Sequence, residues 1–359
     1  MKEQSDEATK RRSDEGGRTT SPSMKHRPIL VTGAAGFIGS HLTRRLLADG
    51  RRVVGLDNFC DFYDPALKRR NVAELNDHKA FTLIEADIRD RRAIAEAFTT
   101  HKPAAVLHLA AMAGVRPSIE RPDLYAQVNM MGTVNMLDAA VKHGCEKFVF
   151  ASSSSVYGNN EKVPFAETDP VDHPISPYAA TKKSGELICH TYWHLNRLPI
   201  VCLRYFTVFG PRQRPDLAIS KFLRLVRAGA PIVMYGDGTT SRDYTFVDDI
   251  VSGTLAALDR CDRFNIYNLG GSRPVTLAEL IRTIEQIMGK TARIDKQPMQ
   301  PGDVQRTCAD LTRSGAELKY EPTTSLAEGI QKQWRWMVQE EATERRSDGA
   351  TKGGKGGKH

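Results

Sequence analysis

The chain has 359 residues, which is enough to bury a large core and to form two domains. Its 40% hydrophobic and 26% charged residues are ordinary for a globular enzyme, and no apolar run reaches the roughly 18 residues that a membrane span needs. The net charge of +8 is dispersed, without an aromatic-rich basic motif, so we expect neither nucleic acid nor a membrane as a partner. The charged N-terminus favours a cytoplasmic location.

The six cysteines are far apart and show neither a C-x-x-C pair nor a Cys/His spacing typical of zinc. We therefore predict no metal site and no disulfide. Residues 1–26 and 341–359 are polar and lack apolar periodicity, which is typical of disordered tails.

A glycine-rich turn follows the first apolar stretch. Residues 28–32 predict a strand, and residues 40–49 predict an amphipathic helix. Between them the glycines follow the pattern G-x-x-G-x-x-G. Gly33 would permit a tight turn, Gly36 would let a pyrophosphate approach the backbone, and Gly39 would let the helix pack closely on the strand. This order of elements predicts a dinucleotide-binding turn, with Phe37 and Ile38 among the cofactor contacts.

The next predicted strand comprises residues 52–56, and Asp57 follows directly at its end. A carboxylate at this position would bind the adenosine ribose diol and would repel a 2′-phosphate, which favours NAD over NADP. The alternative is that Asp57 only caps a helix or stabilises a turn.

The alternation of strands and helices continues along the chain. Strands are predicted at 81–86, 104–109, 147–151 and 199–204, and helices at 90–99 and 122–143. This pattern predicts a Rossmann-type, doubly wound parallel sheet, in which ligands bind at the carboxyl ends of the strands. The further cofactor contacts predicted at those ends are Asn58, Asp87, Ile88, Leu109, Ala110, Ala111, Ser152 and Tyr205.

The character of the sequence changes after residue 204, because proline and glycine become frequent and the alternation is lost. We predict an NAD-binding domain at 27–204 and, mainly for substrate, a smaller C-terminal α/β domain at 205–340. Helices are expected near 247–258, 277–288 and 325–338.

The candidate catalytic residues lie around two short motifs. Serines occupy positions 152–155, and Tyr178 and Lys182 stand four residues apart on one face of a helix that Ser176 caps. A phenol has a reference pKa of about 10, but the Lys182 ammonium and a positive nicotinamide would favour the phenolate. Tyr178 would then remove the proton of a substrate hydroxyl, while Ser153 hydrogen-bonds the same oxygen.

Together these motifs resemble the extended short-chain dehydrogenase/reductase family, and within it the nucleotide-sugar 4-epimerases. The resemblance covers residues 28–338 and includes T-G-A-A-G-F-I-G (32–39), H-L-A-A (108–111), S-S-S-V-Y-G (153–158) and R-D-Y-T-F-V-D-D (242–249). It implies a tightly held NAD⁺ that takes hydride from C4 of a UDP-sugar and returns it to the other face of a 4-keto intermediate. It also implies a homodimer, in which the helices near 122–143 and 177–195 pair across a two-fold axis.

Departures from the family pattern indicate the reaction. Dehydratases of this family carry an Asp-Glu pair where this chain has Ser154 and Ser155, so an acid and a base for elimination are missing. Thr207 stands where glucose epimerases usually have Asn. With Arg214 and the segments 57–68 and 299–303, the chain resembles the UDP-glucuronate 4-epimerases.

The resemblance also implies the substrate contacts. Arg214 would bind the C6 carboxylate, with hydrogen bonds added by Ser154, Ser155 and Thr207, while Ser153 would contact the reacting hydroxyl of the substrate; the alternative is that Arg214 forms a surface or interdomain ion pair. Arg242 is the candidate for the diphosphate, Asp303 for the uridine ribose and Arg116 for a phosphate. The competing functions are a UDP-glucuronate decarboxylase, a UDP-glucose 4-epimerase and a non-catalytic NAD-sensing protein; the intact pair Tyr178 and Lys182 argues against the last.

Overall fold

The computed structural model describes residues 26–298 and 304–353. The strands in this part of the chain are β1 (Ile29–Thr32), β2 (Val53–Asp57), β3 (Phe81–Glu85), β4 (Ala105–His108), β5 (Lys147–Ser153), β6 (Ile200–Tyr205), β7 (Thr207–Phe209), β8 (Ile232–Tyr235), β9 (Ser241–Phe246), β10 (Asn265–Leu269), β11 (Pro274–Thr276) and β12 (Ile294–Gln297). Seven of them form the central sheet, in the order β3-β2-β1-β4-β5-β6-β10. Every neighbouring pair in this sheet is parallel, which confirms the predicted Rossmann-type fold.

The central strands β1, β2, β4 and β6 are buried along their whole length. Parallel strands that are covered by helices on both faces read as continuous apolar runs, and this explains why the sequence located them well. Their register, with Ile29 opposite both Val53 and Ala105, aligns the carboxyl ends of the strands at one edge.

Helices cover both faces of the sheet. They are α1 (Phe37–Ala48), α2 (Pro65–Ala73), α3 (Arg91–His101), α4 (Val115–Glu120), α5 (Pro122–Tyr125), α6 (Gly132–Lys142), α7 (Pro177–Asn196), α8 (Ala218–Ala228), α9 (Val247–Asp259), α10 (Leu277–Met288), α11 (Thr312–Leu318) and α12 (Leu326–Gly353). None of the helices described is long and apolar enough to cross a membrane.

Three helix predictions need correction. α1 begins at Phe37 rather than at residue 40, so Gly39 lies inside the helix. The long helix predicted at 122–143 is interrupted by a π-helical turn, Ala126–Met131. α12 continues to Gly353, so it extends beyond the helix expected near 325–338 and into the segment predicted as a tail from residue 341.

The C-terminal part of the chain builds two small sheets, one of β11-β9-β7 and one of β12-β8. It also returns to the central sheet, because β10 pairs with β6. Side chains from the central sheet and from α10 and α12, such as Val31, Ile281 and Ile330, belong to one continuous apolar core. Residues 205–340 therefore complete the large sheet as well as forming the two small ones. The tail predicted at 1–26 lies almost entirely outside the described residues.

Candidate active site

A cavity of about 530 Å³ opens at the carboxyl ends of the parallel strands. This volume is in the range of small-molecule sites. The predicted site residues that line it are Gly33, Gly36, Phe37, Ile38, Gly39, Asp57, Asn58, Asp87, Ile88, Leu109, Ala110, Ala111, Ser152, Ser153, Ser154, Ser155, Tyr178, Lys182, Tyr205, Thr207 and Arg214. The fold thus brings the predicted cofactor and catalytic residues to one place.

The glycine-rich turn has the shape of a pyrophosphate site. Gly33 has a φ of +68°, in the left-handed region that favours glycine. A Cβ added to Gly39 would lie 2.0 Å from the carbonyl oxygen of Gly33, so the helix can pack this closely only without a side chain. Gly36 precedes α1 in an extended conformation, and no side chain caps the helix. The first N–H groups of α1 therefore suit an anionic group.

Asp57 stabilises this turn from the end of β2. Its carboxylate accepts hydrogen bonds from the backbone N–H groups of Ala35 at 3.0 Å and Phe59 at 2.9 Å. Burial raises the pKa of Asp57, and these hydrogen bonds together with the charge of Lys68 oppose the rise. The turn role that was the alternative is thus present, and the same carboxylate lines the cavity where an adenosine ribose would lie.

Asp87 and Asn58 form a polar cluster at the ends of the neighbouring strands. The Asn58 amide donates to Asp87 at 2.9 Å, and Arg89 donates to the same carboxylate through two nitrogens, at 3.0 and 2.8 Å. Mainly through its hydrogen bonds, Arg89 lowers the pKa of Asp87 to about 2. Arg89 also lines the cavity, although it lies in a short loop without a sequence motif that would have marked it.

The catalytic candidates meet at the end of β5. Ser153 is hydrogen-bonded to the phenol of Tyr178, and its Oγ donates to Ser155 Oγ at 3.2 Å. The buried Lys182 donates from Nζ to the carbonyl oxygen of Ala151 at 2.7 Å. Ser176 caps α7 as predicted, by accepting a hydrogen bond from Ala179 N at 3.1 Å. This cap sets the start of the helix that carries Tyr178 and Lys182.

Burial, Ser153 and Arg214 act on the pKa of Tyr178. Burial raises this pKa, whereas the hydrogen bond with Ser153 and the positive charge of Arg214 lower it. Burial lowers the pKa of Lys182 to about 8. Lys182 and the nicotinamide were expected to stabilise the phenolate, whereas the cation that lowers the pKa of Tyr178 in the structure is Arg214.

Arg214 forms an ion pair with a nearby residue and also lines the cavity. Its Nε and Nη2 donate to the two carboxylate oxygens of Asp216, at 3.0 and 2.7 Å. The guanidinium also lies over the ring of Phe62, 4.9 Å from the centroid, and it lines the cavity beside Tyr178. Arg214 is therefore both an ion-pair partner and a cation of the site.

Two predicted substrate contacts lie elsewhere, and a third is not described. Arg242 and Arg116 are not among the residues that line the cavity in the described part of the chain. The Arg116 guanidinium stacks on the ring of Tyr235, 5.2 Å from its centroid, and Arg242 donates to the carbonyl oxygen of Ser241 at 2.9 Å. Asp303 lies outside the described residues. Their roles in binding stay predictions.

Other residues of the site were missed. Phe62 and Tyr63 line the cavity from the loop after β2; the segment 57–68 was part of the family resemblance, but neither side chain was assigned to the site. Asn129 lies in the π-helical turn. Its side-chain oxygen accepts a hydrogen bond from the backbone N–H of Met112 at 2.8 Å, and its amide nitrogen donates to the carbonyl oxygen of Met112 at 2.9 Å and to the hydroxyl of Thr181 at 3.0 Å. Thr181 lies on α7 between Tyr178 and Lys182, so Asn129 ties the loop after β4 to the catalytic helix.

Known proteins share this architecture. Residues 30–333 match the family model for GDP-mannose 4,6 dehydratase. The UDP-glucuronate 4-epimerase of Thermodesulfobacterium geofontis is 42% identical over 308 residues, which cover 86% of this chain and 95% of that protein. The structure of UDP-glucuronic acid 4-epimerase from Bacillus cereus, in complex with UDP-glucuronic acid and NAD, has 38% identity and a TM-score of 0.83, and covers 87% of this chain and 99% of that one.

A more distant likeness is to the UDP-glucose 4-epimerase of Thermotoga maritima, whose structure with UDP-glucose has 33% identity and a TM-score of 0.81. It covers 87% of this chain and 99% of that one. The family model and the high coverage agree with the strand order, the glycine-rich turn and the Tyr178–Lys182 pair. The chain therefore belongs to the GDP-mannose 4,6 dehydratase family of extended short-chain dehydrogenases/reductases.

Proposed function

We propose that this protein is an NAD-dependent isomerase that converts UDP-glucuronate to UDP-galacturonate by epimerisation at C4, through a transient 4-keto sugar. The observation that carries this assignment is that Arg214 lines the same cavity as Tyr178 and Ser153. A base for a hydroxyl group and a cation for a carboxylate then act on one sugar ring. The relatives named as UDP-glucuronate 4-epimerases support the same reaction.

The turn at Gly33–Gly36–Gly39 and the carboxylate of Asp57 fit NAD, because the first supplies backbone N–H groups to a pyrophosphate and the second an acceptor to a ribose diol. The buried negative charge of Asp57 disfavours a 2′-phosphate at the same place. When bound, NAD⁺ supplies the hydride acceptor.

Tyr178 performs the proton transfer. Its phenolate removes the proton of the C4 hydroxyl as C4 is oxidised, and the phenol returns this proton when C4 is reduced on the other face. Ser153, already hydrogen-bonded to the phenol, holds the same sugar oxygen. The Arg214 charge and the Ser153 hydrogen bond both lower the pKa of Tyr178, and so favour the form that can accept a proton.

The carboxylate of the sugar has to be held during this reaction, since oxidation at C4 makes a β-keto acid that tends to lose CO₂. We propose that Arg214, Thr207, Ser154 and Ser155 keep the bond between C5 and the carboxylate away from alignment with the carbonyl π system. All four line the cavity. A charged partner for a carboxylate also discriminates against the neutral hydroxymethyl group of UDP-glucose.

A proton NMR time course with UDP-glucuronate and NAD⁺ tests this assignment. We expect UDP-galacturonate to appear without net reduction of NAD⁺. A pentose product with CO₂ would identify a decarboxylase instead. Turnover of UDP-glucose alone would identify a glucose epimerase, and no turnover of either sugar would favour a non-catalytic NAD-binding protein.

We further propose that the enzyme is a cytoplasmic homodimer, joined through the helices of residues 122–143 and 177–195. Large apolar side chains on these helices support the interface, because Met131, Leu187 and Leu195 are 54%, 56% and 75% exposed. Light scattering should give twice the mass of the chain, and Leu187→Asp should shift the protein towards the monomer. A wild-type monomer would contradict this proposal.

A further inference from the structure

Arg214 already holds a carboxylate in the structure, and it belongs to the chain itself. Asp216 receives two hydrogen bonds from the Nε and Nη2 edge of the guanidinium. The Arg214 side chain is only 15% exposed, whereas that of Asp216 is 50% exposed. The ion pair thus spans the boundary between the interior and solvent, with the cation on the inner side.

The geometry leaves one edge of Arg214 for a second carboxylate. Asp216 takes the N–H of Nε and one N–H of Nη2, and the other N–H groups lie on Nη1 and on the far side of Nη2. Among the described residues, Asp216 is not part of the cavity lining, whereas Arg214 is. The ring of Phe62 covers a face of the guanidinium, 4.9 Å from its centroid, so its plane is held as well.

The charges of the two partners act on the site in opposite directions. The Arg214 charge lowers the pKa of Tyr63 and Tyr125, and the Asp216 charge raises both. The field of Asp216 therefore reaches groups beside the cavity. A sugar carboxylate that binds Arg214 would meet a cation whose charge is partly neutralised.

Epimerisation requires that Arg214 release the sugar carboxylate during each catalytic cycle. The 4-keto sugar has to turn over before it is reduced on its other face, so its carboxylate must leave Arg214 during the catalytic cycle. A buried guanidinium without a counter-ion would make this step costly, because desolvated charges need a partner. A resident carboxylate neutralises Arg214 while the substrate carboxylate is away.

We propose that Asp216 is a positioning residue that acts as this resident counter-ion. It weakens the binding of the sugar carboxylate to Arg214 and thereby permits the keto sugar to turn. The proposal rests on the proposed function, since it requires a substrate with a carboxylate. It predicts that loss of the Asp216 charge makes substrate binding tighter and turnover slower, a combination that simple damage to the site does not produce.

The test compares Asp216→Asn with the wild type by calorimetric titration of UDP-glucuronate and UDP-glucose into the NAD⁺-loaded protein, and by steady-state kinetics. We expect the Kd for UDP-glucuronate to fall about fivefold, which corresponds to roughly 1 kcal/mol, with the Kd for UDP-glucose unchanged and a lower kcat. The acid limb of the kcat/KM profile should also move to lower pH, because the phenol of Tyr178 then faces a cation that is less neutralised.

A matched control exists on the surface. The Arg69 guanidinium also makes two hydrogen bonds to one carboxylate, from Nη1 and Nη2 to Glu85 at 3.1 and 2.9 Å, and stacks on Phe59 at 4.3 Å from the ring centroid. Glu85→Gln should leave Kd, kcat and the pH profile unchanged. Asp216→Ala, with a thermal unfolding curve, serves as a second variant should Asp216→Asn fold poorly.

Unchanged or weaker binding of UDP-glucuronate to folded Asp216 variants would overturn the proposal, as would an equal change for both sugars. The outcome is separable from the proposed function. If the wild type does not epimerise UDP-glucuronate, the function fails; if it does and the variant binds no more tightly, only the role of Asp216 fails.

Discussion

Replacement of Arg214 by Ala tests the proposed carboxylate site most directly. The guanidinium lines the cavity and is only 15% exposed, so its removal takes a positive charge from a largely buried position. Hydrogen bonds to charged groups contribute about 1.5–3 kcal/mol, and we expect kcat/KM for UDP-glucuronate to fall about ten- to a hundredfold. The unpaired Asp216 would then also repel the sugar carboxylate, which adds to the loss.

The more specific expectation concerns the products. Without Arg214 the carboxylate of the keto sugar is free to rotate into alignment with the carbonyl group, and the share of the decarboxylated pentose should rise. Proton NMR of the reaction mixture gives the ratio of pentose to UDP-galacturonate directly. Arg69→Ala removes a stacked, bidentate arginine from the surface and is the matched control.

Two results would refute this reasoning. An unchanged ratio of pentose to epimer in Arg214→Ala would show that the guanidinium does not restrain the carboxylate. An equal loss of activity in Arg69→Ala would show that the effect comes from general destabilisation. The double variant Arg214→Ala/Asp216→Asn should recover part of the lost kcat/KM, since it removes the repulsive carboxylate together with its partner.

Three further predictions concern the glycine-rich turn, the phenol of Tyr178 and the buried side chain of His108. Gly39→Ala should weaken NAD⁺ binding about tenfold or more in a calorimetric titration, because its Cβ would lie 2.0 Å from the carbonyl oxygen of Gly33; normal affinity would contradict this packing. Tyr178→Phe should lower kcat by about 10²–10⁴-fold with little change in the Kd for UDP-glucuronate, and a retained kcat would exclude the phenol as base. His108 has a pKa lowered from 6.5 to about 3, chiefly by burial, so the unfolded chain binds the proton first and stability should fall with pH below 6.5, by up to about 1.4 kcal/mol per pH unit. Urea unfolding at pH values from 7 to 5 gives the free energy of unfolding at each pH. This free energy should fall less steeply with falling pH for His108→Gln than for the wild type, and an equal fall would contradict the assignment.

The parts of the molecule that were predicted well depend on local interactions. The strand at Ile29–Thr32, the glycine-rich turn and the helix that Ser176 caps each follow from residues close together in the chain. Tyr178 and Lys182 share a helix face by their spacing alone. Such signals survive folding because tertiary contacts only add to them.

The strand β10, at one edge of the seven-stranded sheet, shows where local signals fail. β10 is Asn265–Leu269, a short segment with two Asn residues, and it was not predicted. Asn268 is fully buried there because its side chain accepts a hydrogen bond from the Tyr157 hydroxyl at 2.7 Å and donates to the carbonyl oxygen of Phe165 at 2.8 Å. A polar residue in the core needs partners from distant segments, and a sequence pattern does not show them.

The sequence by itself determined the chemistry of the site: a dinucleotide turn, a phenol with an ammonium one helical turn away, and serines in place of a carboxylate pair. Only the tertiary structure decided what surrounds Arg214. It brought Phe62, from the loop after β2, onto the guanidinium, placed Asp216 on its outer edge and put its charge near Tyr178. The reason is physical: spacing along the chain fixes which groups a helix or turn presents, whereas the field at one atom depends on charges that only folding brings together.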